Sequence, residues 1–136
     1  MSSLGTERTP AQTTDGTAQT FNIGTLAAVG ASILFDVVLM GTKTNAQEGL
    51  YARWMGQAAR NSTANGLGFA LAVGPTGFTD AAAAPYTAVP ALPAGWAANI
   101  AFAGNVLQLQ YNGAAADTVD WQIVVLHRFL LNGATL

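Results

Sequence analysis

From residue 20 onward, large apolar side chains tend to fall on alternate positions, the period of a strand with one buried face. Phe21 and Ile23 share one face of a first short segment. Residues 32–40 (SILFDVVLM) put Ile33, Phe35, Val37 and Leu39 on one face and Leu34, Asp36, Val38 and Met40 on the other. Apolar residues on both faces predict a central strand, or one whose second face meets another subunit. The β-branched and aromatic content favours strand over helix. Residues 50–59 follow, with Tyr51, Arg53 and Met55 opposite Leu50, Ala52 and Trp54. After the Asn65-Gly66 turn signal, Leu67, Phe69, Leu71 and Val73 alternate with Gly68, Ala70 and Ala72.

The C-terminal third has the cleanest alternation. Trp96, Ala98, Ile100 and Phe102 lead to a Gly104-Asn105 turn, and Leu107, Leu109 and Tyr111 lead to Asn112-Gly113. In residues 119–130, strict parity places Val119, Trp121, Ile123, Val125, His127 and Phe129 on one face. The other face begins polar (Asp120, Gln122) and turns apolar (Val124, Leu126, Leu130). Residues 41–49 read as a polar loop. Residues 74–95, with Pro75, Pro85, Pro90 and Pro93, read as an irregular excursion packed through Phe78, Tyr86, Val89 and Leu92, because prolines oppose a central strand. The sum is seven or eight short strands and no helix: an all-β fold, an antiparallel β-sandwich or jelly-roll-like domain over residues 21–136.

Residues 1–20 are different. They are rich in Ser, Thr and Gln, and form an extended N-terminal arm with no core of its own. Such a segment is held by a partner surface or by its own domain. Thr9, Gln12, Thr13, Thr14 and Gln19 are its candidate contact residues.

Composition sharpens the picture. Of 136 residues, 51% are hydrophobic and only twelve are charged, where an average soluble domain of this length carries about 34. That is too few to cover a free monomer in the usual way, so part of the surface is expected to be buried against copies of the chain or another protein. The five Lys and Arg are scattered, which opposes nucleic-acid binding through phosphates. No basic segment precedes an apolar one at the N-terminus, and the longest apolar stretch, residues 26–40, is too short to span a bilayer. Neither nucleic acid nor membrane is expected as a partner, and the chain reads as made in the cytosol.

Candidate chemistry is sparse. There is no cysteine, one histidine (His127), and seven carboxylates without metal-ligand or calcium-loop spacing. Parity puts Asp120 on the face opposite His127, and no nucleophile elbow is present. No catalytic, metal-binding or cofactor-binding residue is assigned, and a non-enzymatic protein is expected. Asp36 is a lone charge in an apolar run, so it requires a partner; Arg53 and Arg128, both inside strands, are the candidates for a structural ion pair. Trp54, Trp96 and Trp121 fall on apolar strand faces or strand starts, which favours core packing over a sugar-binding face. Val124, Leu126, His127, Phe129 and Leu130 are the candidate oligomer interface.

Several segments carry a family resemblance. These are Val37-Val38-Leu39-Met40-Gly41, Gly49-Leu50-Tyr51-Ala52-Arg53, Gly95-Trp96-Ala97-Ala98, and Gly113-Ala114-Ala115-Ala116-Asp117-Thr118-Val119-Asp120-Trp121. Residues 37–125 thereby resemble small phage virion β-sandwich domains. The resemblance implies a virion component: a capsid decoration (cement) protein on the outer capsid surface, or a head or tail fibre module. It also implies a homotrimer, with the major capsid protein as partner. Under this reading the arm grips the capsid, and removing residues 2–16 leaves a folded oligomer unable to bind shells.

Overall fold

The chain was described from a computed structural model, which covers residues 2–4, 6–44, 48–81, 84–89 and 92–136. Among these residues there is no helix. Ten strands form two antiparallel sheets packed face to face as a β-sandwich. They are β1 (Ser2–Leu4), β2 (Glu7–Thr13), β3 (Gln19–Thr25), β4 (Ser32–Lys43), β5 (Gly49–Arg60), β6 (Asn65–Ala81), β7 (Ala84–Val89), β8 (Ala97–Ala103), β9 (Val106–Asn112) and β10 (Val119–Leu131). The large sheet runs β1-β10-β4-β5-β6-β7, with β2 also paired to β10; the small sheet runs β3-β9-β8.

The core lies between the sheets. Ile33, Phe35, Val37 and Leu39 of β4, Leu50, Ala52 and Trp54 of β5, and Trp121, Ile123 and Val125 of β10 meet Ile23, Ile100, Leu107, Leu109 and Tyr111 of the small sheet. All three tryptophans are buried. Trp121 packs against Tyr111 and Trp96 with ring centroids 4.9 and 5.6 Å away. Its ring lies so close to Gly41 that a Cβ there would come within 2.4 Å of it. The indole N–H groups are satisfied: Trp121 donates to Thr13 Oγ1 at 2.9 Å, and Trp96 to Asp117 Oδ2 at 3.0 Å.

The structure resolves one open sequence expectation and corrects three. Of the two holders left open for the N-terminal arm, a partner surface or its own domain, the second is observed: Glu7–Thr13 is an edge strand antiparallel to β10 from Glu7↔Val125 to Thr13↔Val119. Its polar side chains hid this, because a strand beside the core needs only one half-buried row: Glu7, Thr9, Ala11 and Thr13. Removing residues 2–16 would strip β10 of this partner along with Thr13, so that truncation is not a neutral one.

Second, the 41–49 loop is shorter than expected, since β4 runs to Lys43 and β5 starts at Gly49. Third, β6 continues through Pro75 to Ala81. The strand tolerates the proline because the ladder with β5 is interrupted there, its register shifting between the Tyr51↔Thr76 and Arg53↔Val73 pairs. The side chains of Phe78, Tyr86 and Val89 lie outside the described residues, while Leu92 packs against the core. Fourth, strict parity fails in β10. Pairing with β4 passes from Val125↔Val37 to His127↔Asp36, leaving Leu126 as the extra residue of a bulge. A one-residue slip exchanges faces. Arg128 and Leu130 therefore turn into the core, while His127 and Phe129 join Asp120 on the outer face.

Candidate functional site: the outer face of the large sheet

The small sheet covers the inner face of β4, β5 and β10; the outer face has no covering layer among the described residues. Register places Leu34, Asp36, Val38 and Met40 of β4 there, beside Tyr51, Arg53, Met55 and Gln57 of β5. Leu71 and Val73 of β6 pair with Met55 and Arg53, and Val124, His127 and Phe129 of β10 pair with Val38, Asp36 and Leu34. Leu34, Met40, Leu71 and Val73 are 41–50% exposed, and Tyr51 is 37% exposed. A row of this kind on four adjacent strands is an apolar face of the sort that soluble monomers keep small.

One ion pair sits in the middle of this face. Arg53 donates through Nε to Asp36 Oδ1 at 2.9 Å and through Nη2 to Oδ2 at 2.7 Å, a two-pronged arrangement. Asp36 is buried beneath its neighbours, and its carboxylate raises the Arg53 pKa further, first by the hydrogen bond and then by charge attraction. The pair thus neutralises the two charges that the described residues place at the centre of the face. Beside it lies a hollow of about 390 Å³, lined in part by Leu34, Asp36, Met55, Gln57, His127 and Phe129. It is an apolar basin with a carboxylate, an amide and an imidazole at its walls.

The other candidate residues are distributed as follows. Arg128 does not join Asp36. It is 2% exposed on the inner side, where Nη1 donates to the Ile23 carbonyl at 2.8 Å and Nη2 pairs with the Glu7 carboxylate. It therefore links β10, β3 and β2. Sequence reasoning did not single out Glu7; the signal was a lone acid at the start of an inward row, legible only once β2 is paired with β10. Leu130 is buried in the core and leaves the proposed interface set, and Leu126 occupies the bulge. Val124, His127 and Phe129 remain outward.

In the N-terminal segment, Thr9 and Thr13 lie on the inward row. Gln12 points outward and donates to Asp120 at 2.8 Å. Thr14 is exposed in the loop that follows, and Gln19 opens β3. In that loop Asp15 accepts from the Thr17 backbone N–H, which lowers its pKa. Asp117, another residue that sequence reasoning placed only at a turn, accepts from Trp96 and pairs with Lys43 at 3.0 Å; these contacts, the Trp96 hydrogen bond first, lower its pKa.

No protein-family model and no curated protein matches the chain. Two solved structures are similar in shape. One is the tailspike protein gp49 from Acinetobacter baumannii bacteriophage Fri1, described as a capsular polysaccharide depolymerase. It has 13% identity and a TM-score of 0.41, with 96% of this chain covered and 18% of the tailspike. The other is the tailspike protein of Acinetobacter baumannii phage AM24, with 6% identity and a TM-score of 0.37, covering 94% of this chain and 27% of that one. The chain thus spans less than a third of either tailspike. The expectation of a non-enzymatic protein is withdrawn against this finding, since one neighbour is described as an enzyme; that activity belongs to the tailspike.

Proposed function

We propose that this chain is a structural component of a phage virion: a capsid decoration (cement) protein that sits on the outer surface of the shell as a homotrimer and stabilises it. The observation that carries this reading is the uncovered outer face of the large sheet, apolar on four adjacent strands and neutralised at its centre by Asp36 and Arg53. A surface of that composition is stable in water when another protein covers it. The scarcity of charge along the whole chain agrees, as does the resemblance of residues 37–125 to phage virion domains. The major capsid protein is the partner in this reading. In this reading the exposed 14–18 loop and the outward residues Arg8, Pro10 and Gln12 of β2 touch it. Three copies on one trimer would turn weak contacts into firm attachment.

A second reading, a head or tail fibre or spike module that binds a host receptor or glycan, is favoured by the hollow beside Asp36 and His127. An apolar basin with a few convergent polar groups is the usual form of a small-ligand site. The two readings separate by stoichiometry. Quantitative mass spectrometry of purified source particles is expected to give a copy number comparable with that of the major shell protein. A number far below it would assign the chain to a fibre, spike or vertex, and complete absence from particles would overturn the virion reading.

A further inference from the structure

The two edges of the large sheet are finished differently. At one end β2 carries Glu7, Arg8, Pro10 and Gln12, and charge and proline are what natural sheets use to refuse a further strand. At the other end β6 pairs with β5 from Asn65 to Phe78, but β7 covers its far side only from Gly77 to Ala81. Among the described residues no strand pairs with the far side of residues 66–75. That stretch has no charged residue, and its one proline lies at the end. Leu67, Leu71 and Val73 are 42–50% exposed along it, and Ala70 is exposed between them.

The sequence of this open edge is close to a mirror of itself about Ala70. Phe69 reflects onto Leu71, Gly68 onto Ala72, Leu67 onto Val73 and Gly66 onto Gly74. An antiparallel strand related by a two-fold axis is read in the reverse direction, so a segment that matches its own reversal pairs large positions with large and small with small. The absence of charge removes like-charge repulsion across such a pairing. The slip at Gly68, where Phe69 pairs with Gln57 and Leu67 with Ala58, confines the matched register to the middle of the segment.

We infer that a second copy of this chain adds to this edge, β6 against β6, antiparallel and centred on Ala70, making one continuous sheet across the pair. The inference is independent of the virion reading, because it uses the edge of the sheet and not its outer face.

The test uses the full chain. Analytical ultracentrifugation across a concentration series is expected to show reversible association through a two-fold pair, and Ala70→Lys to weaken it at least about tenfold with an unchanged thermal melt. The chain has no cysteine, so Ala70→Cys supplies a single thiol. With oxidised glutathione accepting the two electrons, two such thiols facing each other across the axis join as a disulfide-linked dimer, and Ser62→Cys in the neighbouring turn does not. A chain that shows no two-fold pairing, whether as a dimer or as a doubled trimer, would overturn the inference. So would pairing of that kind that survives Ala70→Lys, or an Ala70→Cys chain that fails to cross-link; a trimer that persists in Ala70→Lys while its doubling is lost supports the inference. If Ala70→Lys does not fold, the Ala70→Cys result decides alone. Particle copy number is unaffected by any of these outcomes, so the virion reading stands or falls separately.

Discussion

The two faces of the large sheet each hold an arginine paired to a carboxylate, and they use it differently. On the inner face, Arg128 is nearly inaccessible and depends on the Ile23 carbonyl and Glu7. Its charge has been taken out of water and must be answered inside the protein. On the outer face the Arg53 side chain keeps 35% of its exposure, and water shares in satisfying it. The first pair holds three strands at one end of the sandwich. The second leaves a broad apolar face free of unbalanced charge, which suits a surface that another protein covers. An arginine–carboxylate pair therefore serves cohesion on one side and, in the function proposed above, docking on the other.

Removing one partner from each pair gives the sharpest contrast. Glu7→Gln leaves the Arg128 charge uncompensated. Because Glu7 is 43% exposed, the expected loss is about 2 kcal/mol rather than the ~3–5 kcal/mol of a fully enclosed pair. Urea denaturation measures it, and Glu7→Gln combined with Arg128→Met should recover part of the loss. Asp36→Asn on the outer face leaves an arginine that water can reach and an amide oxygen that can still accept from it, so the expected loss is smaller, about 1 kcal/mol or less. Equal losses from both single variants would erase the distinction between the faces.

A smaller effect is expected at the inner row of β2. Thr13→Val keeps the shape but deprives the buried Trp121 N–H of its acceptor, at an expected cost of about 1–2 kcal/mol in the same denaturation experiment. Wild-type stability after this change would show that β2 contributes to the core through packing alone.

The smallest effect concerns acid. Asp117 has a lowered pKa in the folded chain, so the unfolded chain binds its proton more readily. Its contribution is complete above the ordinary aspartate value of 3.8 and is lost as the pH falls through the lowered value. Asp117→Asn can still accept from Trp96, and should flatten the decline in melting temperature below about pH 4. An unchanged acid limb would assign it to other carboxylates.

The sandwich was legible where alternation is local. β8, β9 and the first half of β10 show apolar and polar positions exchanging one by one, and the buried tryptophans follow from that pattern. The Leu126 bulge was not legible, because no glycine or proline marks it, yet it reverses every side chain after Val125. Strand β2 was hidden for another reason. Its one inward row contains Glu7, Thr9 and Thr13, polar residues that look like an arm until Arg128 and Trp121 are seen to require them. The outer face was half legible: apolar residues on both sides of residues 33–40 implied a second contact, while the Asp36–Arg53 pairing depended on the β4–β5 register.

The pairing of β2 with β10 has a consequence for synthesis. A ribosome releases Glu7 and Thr13 long before the strand that receives them at Val125 and Val119. Until then Glu7 lacks Arg128 and Trp121 does not yet exist, so this side of the sheet cannot be closed before β10 has been made. Strand β2 must wait for a partner made much later in the chain, and a nascent chain stalled before β10 would offer the bare edge of β4 to whatever strand came near.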